Sequence, residues 1–193
     1  MTPARRPHAL VVGGTGMLRE AALGLVERGH AVSVVARNAR RLEALRIKAK
    51  VMGGILRPVC VDYRDADALA FGIGEAVAEL GPARLAVVWA HSSAPHAPFV
   101  VAERLAKAGG PTDFFHVLGS AAADPSQPDA RRSEGFSKFD GVAYHEIVLG
   151  FVLEPGGSRW LTDDEIAAGV LRAIDLRAPR TIVGIVEPWT ARP

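Results

Sequence analysis

Two groups of residues in this chain have types and spacing that could do chemistry. The first is Gly13, Gly14 and Gly16 in "LVVGGTGMLREAALGL" (10–25), three glycines in four positions between an apolar run and an amphipathic stretch. Such a turn holds a dinucleotide when it joins a strand to a helix. One glycine permits the tight turn, another lets backbone amides approach the pyrophosphate, and the third lets the helix pack closely on the strand. The phosphates then sit at the helix N-terminus, where unpaired amides and the macrodipole favour negative charge. Gly13, Gly14 and Gly16 supply the first two roles, with Thr15, Met17 and Leu18 as further contacts. Arg19 stands where the third glycine is expected. A cation there is unfavourable unless an anion is bound, and then it is a good phosphate partner; the alternative is that Arg19 points to solvent.

The second group is polar and lies further on: His91, Ser92, Ser93, His116 and Ser120. His91 is the best proton donor among them by its ordinary pKa, although a histidine at a strand end also serves as a cofactor or solvent contact. Ser120 is too weak an acid to give up a proton at pH 7 and would orient a carbonyl by hydrogen bonding. His116 reads as a satisfied core residue. No His/Cys/Asp/Glu grouping has metal-ligand spacing, and no Gly-x-Ser-x-Gly turn is present, so no metal is expected.

The elements that must position these residues follow from hydrophobic periodicity. Strand-like runs at 8–13, 31–36, 57–62, 84–90 and 113–120 alternate with helical patterns. These cover Met17–Arg28, a stretch beginning "NARRLEAL", then 65–80 and 98–109. Gly29 sits where a helix C-terminal glycine belongs. Nearly all-apolar strands between helices imply a parallel sheet covered on both faces, and right-handed crossovers leave the doubly wound α/β (Rossmann) fold as the expectation. Residues 121–141 carry two prolines, two glycines and many charges without a helical stripe, and read as a long lid loop. A strand at 143–154, a helix at 161–176 with a Thr162/Glu165 capping box, and a strand at 181–189 complete the chain. The 193 residues are enough for one domain with a well-buried core, 1–193.

The end of the second strand discriminates between cofactors. An acid there would bind a ribose 2′-hydroxyl, whereas arginine accommodates a 2′-phosphate. The sequence is "VVARNARR", with Arg37 in that place, followed by Asn38, Arg40 and Arg41. NADP is expected rather than NAD.

"VVGGTGML" resembles the "TGGTGxLG" turn of the extended and atypical short-chain dehydrogenases/reductases, and the resemblance covers most of residues 8–120. "VVAR" (34–37), Asp62, "VVWAHSS" (87–93) and "HVLGSAA" (116–122) fall in order where that family places its cofactor-contacting strand ends. The resemblance implies that Asp62 and Tyr63 flank the adenine and that Ala90 adjoins the cofactor. It also implies that Ser120 is the substrate-orienting serine. Asp62 is equally suited to cap or turn the chain before the helix at 65–80. The family's Tyr-x-x-x-Lys pair is absent. The tyrosines are Tyr63 and Tyr144, with Asp67 and Val148 four residues on, and the loop 121–141 stands where the pair's helix would be. Two functions are compatible with these residues. One is an NADPH-dependent oxidoreductase of small carbonyl or enoyl compounds, using Ser120 with His91 or Tyr144. The other is a non-catalytic NADP(H)-binding sensor or partner-binding module.

Composition narrows the setting. Hydrophobic residues make up 49% and charged residues 23%, with a net charge of +2. That is a globular composition with no marked basicity, so nucleic acid is not an expected partner. Cys60 is the single cysteine, which excludes an internal disulfide and fits a reducing cytoplasm. No apolar run approaches the ~20 residues of a membrane span. The oligomeric state stays open, homo-oligomers included.

Overall fold

The computed structural model describes residues 6–124 and 132–193. The first five strands are β1 (His8–Val12), β2 (Ala31–Ala36), β3 (Ile55–Cys60), β4 (Ala83–Val88) and β5 (Thr112–Leu118). Between them run α1 (Arg19–Glu27), α2 (Ala39–Val51), α3 (Ala66–Leu80) and α4 (Ala97–Ala108). After β5 come β6 (Val142–Leu149), β7 (Phe151–Glu154), β8 (Gly157–Trp160), α5 (Asp163–Leu176) and β9 (Arg180–Val183).

Seven strands form one parallel sheet in the order β3-β2-β1-β4-β5-β6-β9. Alternate side chains serve opposite faces, because successive residues of a strand point to opposite sides. Ala9 and Val11 of β1 join a core with Leu25 of α1, Leu42 of α2 and Val170 of α5. Leu10 and Val12 join a second core with Leu69 of α3 and Val101 of α4. Burial on both faces is why the inner strands read as unbroken apolar runs. The expected doubly wound single-domain sheet is therefore present, and its strand order reverses between β1 and β4. In such sheets the crevice for a ligand opens outside the strands' carboxyl ends at that reversal.

Caps fix the helix starts. Asn38 accepts from the Arg41 amide at 3.0 Å, and Asp65 from the Ala68 amide at 3.0 Å. Asp65 caps α3, and Asp62 is the turn acid before it, its Oδ1 accepting from the Arg64 amide at 3.0 Å. Thr162 and Glu165 form the expected reciprocal box.

The C-terminal third differs from the sequence reading. The expected strand 143–154 is two strands broken at Gly150, where a Cβ would collide with the Ile185 carbonyl. Phe151 then pairs antiparallel with Ile185 through two 2.9 Å hydrogen bonds. The β7–β8 hairpin was not foreseen, and β9 stops at Val183, before the positive-φ Gly184, well short of residue 189. Part of the expected lid loop, 125–131, lies outside the described residues. The described remainder holds two short 3₁₀ turns, Ser120–Ala123 and Glu134–Phe136. No helix among the described residues is long and apolar enough to cross a membrane.

Candidate functional site

The glycine turn assigns its three glycines different work. Gly13 has φ +79°, and its amide donates to the Val35 carbonyl at 3.0 Å, tying the turn to β2. A Cβ there would lie 2.8 Å from the Trp89 carbonyl. At Gly14 a Cβ would lie 2.6 Å from Cγ1 of Val34, so this glycine lets the turn lie against β2. A side chain at Gly13 would push on backbone, and one at Gly14 on the Val34 and Val11 side chains. At Gly16 a Cβ would meet nothing within 4 Å. Gly16 therefore faces open space and borders both the cleft and a side cleft.

The cleft has a volume of about 420 Å³ and lies at the reversal of strand order. Gly13, Thr15, Gly16 and Met17 line it from the turn, and Arg37 and Arg41 from the end of β2 and the first turn of α2. Asp62, Tyr63 and Arg64 follow β3, and Trp89, His91 and Ser93 follow β4. Among the described residues neither Arg37 nor Arg41 is in an ion pair. Asp62 is tied to Arg64 by hydrogen bonds of 2.6–3.1 Å, and that pairing lowers its pKa to about 2. The Tyr63 hydroxyl accepts from the His91 amide at 3.4 Å.

Several expected contacts lie elsewhere. Leu18 is fully buried, Gly14 is buried against β2, and the Asn38 side chain is spent on capping α2. Ala90 borders a neighbouring cavity instead. Arg19 pairs with Glu20 at 2.9 Å, and Lys48 meets the other Glu20 oxygen at 3.2 Å. Arg19 thus lines a side cleft, shared with Thr15, Gly16 and Arg41, while over half of its side chain stays exposed. Arg41, which follows Arg37 in "RNARR", joins it in the cleft, whereas sequence reasoning missed Arg64 and Trp89. Trp89 read as part of an apolar strand.

The three candidate catalytic side chains do not converge. His91 is exposed and borders both the cleft and the neighbouring cavity. Ser120 is 6% exposed at the start of a 3₁₀ turn and lines neither space. Tyr144 is the third residue of β6 and stacks on Phe136 with ring centroids 4.3 Å apart. Its hydroxyl lies 3.0 Å from Nδ1 of His116 and 3.4 Å from Oε1 of Glu146. His116 itself is 8% exposed on β5 and lines the neighbouring cavity of about 520 Å³. Burial, then the charge of Arg132, lowers its pKa to about 4, so the ring is neutral at pH 7.

No family model and no curated protein matches the chain. Solved structures do. A short-chain dehydrogenase/reductase from Serratia marcescens superposes with a TM-score of 0.70 at 18% identity, over 94% of this chain and 98% of that one. A metagenomic short-chain oxidoreductase in complex with NADP gives 0.70 at 17% identity, over 92% and 96%. A citronellol catabolism dehydrogenase from Pseudomonas aeruginosa gives 0.71 at 18%, over 94% and 95%. With identities this low the likeness is one of architecture, and it agrees with the strand order and with the cleft at its reversal. The chain has the fold of the short-chain dehydrogenases/reductases.

Proposed function

We propose that the protein binds NADP(H) in the cleft after β1–β4 and is an NADPH-dependent oxidoreductase of small carbonyl or enoyl compounds. The observation that carries the first half is the pairing of an open Gly16 with two cations, Arg37 and Arg41, outside any ion pair among the described residues. The turn amides and the start of α1 would take the pyrophosphate. Arg37 and Arg41 would take a 2′-phosphate, because Asp62, the carboxylate of the same cleft, is already tied to Arg64. Asp62 and Tyr63 would border the adenine, and Trp89 and His91 would border the other end. Bound there, a reduced nicotinamide supplies a hydride. Support for the second half is a further cavity sharing His91 with the cleft. Arg132 and Gly135, described residues of the expected lid loop, line that cavity.

A second reading rests on a specific observation: Ser120 lines neither space, and Tyr144 is packed among aromatic rings. This favours a non-catalytic NADP(H)-binding module. Calorimetric titration with NADPH and NADH, followed by NADPH oxidation against aldehydes, ketones and enones, separates the two. Binding of NADPH with turnover supports the enzyme, and binding with no turnover supports the module. No binding of either dinucleotide overturns both.

A further inference from the structure

The second cavity has a composition of its own. Ala90, Ala94, Pro95, Pro98 and Phe99 make most of its wall apolar. The sheet contributes one polar group, the ring of His116. Phe114 and Phe136 flank that ring at centroid distances of 6.3 and 5.9 Å and fix its orientation. Behind it the polar atoms run in series. Nδ1 of His116 is 3.0 Å from the Tyr144 hydroxyl, which donates to Oε1 of Glu146 at 3.4 Å. Glu146 is 9% exposed and is held by Arg132 at 3.3 Å and Arg180 at 3.8 Å. A carboxylate fixed between two guanidinium groups takes the tyrosine proton, so the tyrosine oxygen accepts from Nδ1–H. That sets the histidine tautomer and leaves the lone pair on Nε2. Among the described residues Nε2 has no hydrogen-bond partner.

We propose that this cavity binds small neutral molecules with an apolar body and one hydroxyl or carbonyl oxygen, and that His116 Nε2 exchanges a proton with that oxygen. The proton-exchange half rests on the dinucleotide reading for its hydride partner. In the alcohol-to-carbonyl direction the O–H proton passes to Nε2, and its bonding pair becomes the second C–O bond. The carbinol hydride leaves to the oxidised nicotinamide ring. The Nδ1 proton moves to the Tyr144 oxygen and the tyrosine proton to Glu146. Carbonyl reduction runs the same bonds in reverse. His116 is the catalytic residue of this scheme, and Tyr144 and Glu146 are positioning residues that also hold the proton. A neutral imidazole is the form that can accept; among the described residues His91 and Ser92 also line the wall, and the guanidinium there, Arg132, is already paired with Glu146.

The test uses cyclohexanol and cyclohexanone as probes on the full chain without dinucleotide. The ring nitrogens of His116 are followed by ¹⁵N NMR. Cyclohexanol should shift the Nε2 resonance, and His116→Leu should weaken its binding about three- to tenfold, the worth of one neutral hydrogen bond. Tyr144→Phe removes only a hydroxyl and should redistribute the ring proton between Nδ1 and Nε2, a signature that a purely structural role would not move. An unshifted Nε2 resonance, an unchanged affinity in a folded His116→Leu, or an unchanged tautomer in Tyr144→Phe overturns the proposal. Calorimetric NADPH binding, measured in the same samples, keeps the two readings apart. NADPH binding without a His116 response sinks the cavity assignment alone. A His116 response without NADPH binding upholds the cavity as a binding site and overturns both the dinucleotide reading and the proton exchange built on it.

Discussion

Arg37 brings a charge to the cleft with no carboxylate paired to it among the described residues, and a phosphate is the group that would use it. Losing a charge-assisted pair costs ~1.5–3 kcal/mol, roughly ten- to a hundredfold in affinity. Arg37→Ala should therefore weaken NADPH by that factor and leave NADH nearly unchanged in calorimetry. Equal losses for both would show that Arg37 does not discriminate between them. His116 makes a separate prediction through its titration. Its pKa falls from the ordinary 6.5 to about 4 on folding, chiefly because burial penalises the charged ring. The unfolded chain thus takes up the proton well before the folded one, so stability is lost as pH falls from about 6.5 towards 4. His116→Gln removes this dependence. Between pH 7.5 and 4.5 its stability relative to wild type should improve by roughly 2–3 kcal/mol in urea unfolding, and a constant difference would refute the assignment.

At the level of elements, the turn before α1 separates fold from function within four residues. Gly14→Val must overpack against Val34 and should destabilise by ~1–3 kcal/mol. Gly16→Val projects into the cleft instead, so its thermal midpoint should stay near wild type while NADPH binding is lost. A Gly16→Val protein that binds normally would remove the cleft from consideration. The start of α5 is a purely structural counterpart. Thr162 Oγ1 accepts from the Glu165 amide at 3.2 Å, Glu165 accepts from the Thr162 amide at 2.8 Å, and Arg159 of β8 clamps Glu165 at 2.8 Å. Thr162→Ala should cost ~1 kcal/mol, or about 2–4 °C in thermal midpoint for a chain of this size, with NADPH affinity unaltered.

Across the whole molecule the cleft is assembled from the ends of four strands, and a ligand bridging them stabilises the folded state only. At a concentration 100 times its Kd such a ligand contributes ~2.7 kcal/mol. NADPH in that excess should raise the thermal midpoint by about 5–10 °C, whereas NADH at the same concentration should raise it much less. Equal shifts for the two dinucleotides would contradict the assignment of the 2′-phosphate to Arg37 and Arg41.

The sequence by itself determined the sheet and most of its helices, because periodicity and caps are local. The apolar runs of β1, β2, β4 and β5 and the box at Thr162/Glu165 each act within a few residues of chain. It also determined that a glycine turn opens α1 and that an arginine ends β2. Tertiary structure decided what depends on contacts distant in sequence. The break at Gly150 is set by Ile185, 35 residues on, and no local pattern announces it. The division of labour among Gly13, Gly14 and Gly16 depends on Trp89 and Val34, which press on two of them and leave the third open. Tyr144 read as a candidate proton donor because of its chemistry. Its packing against Phe114 and His116 follows from β5 and β6 lying side by side, and that pairing brings a tyrosine, a histidine and a glutamate into one hydrogen-bonded row.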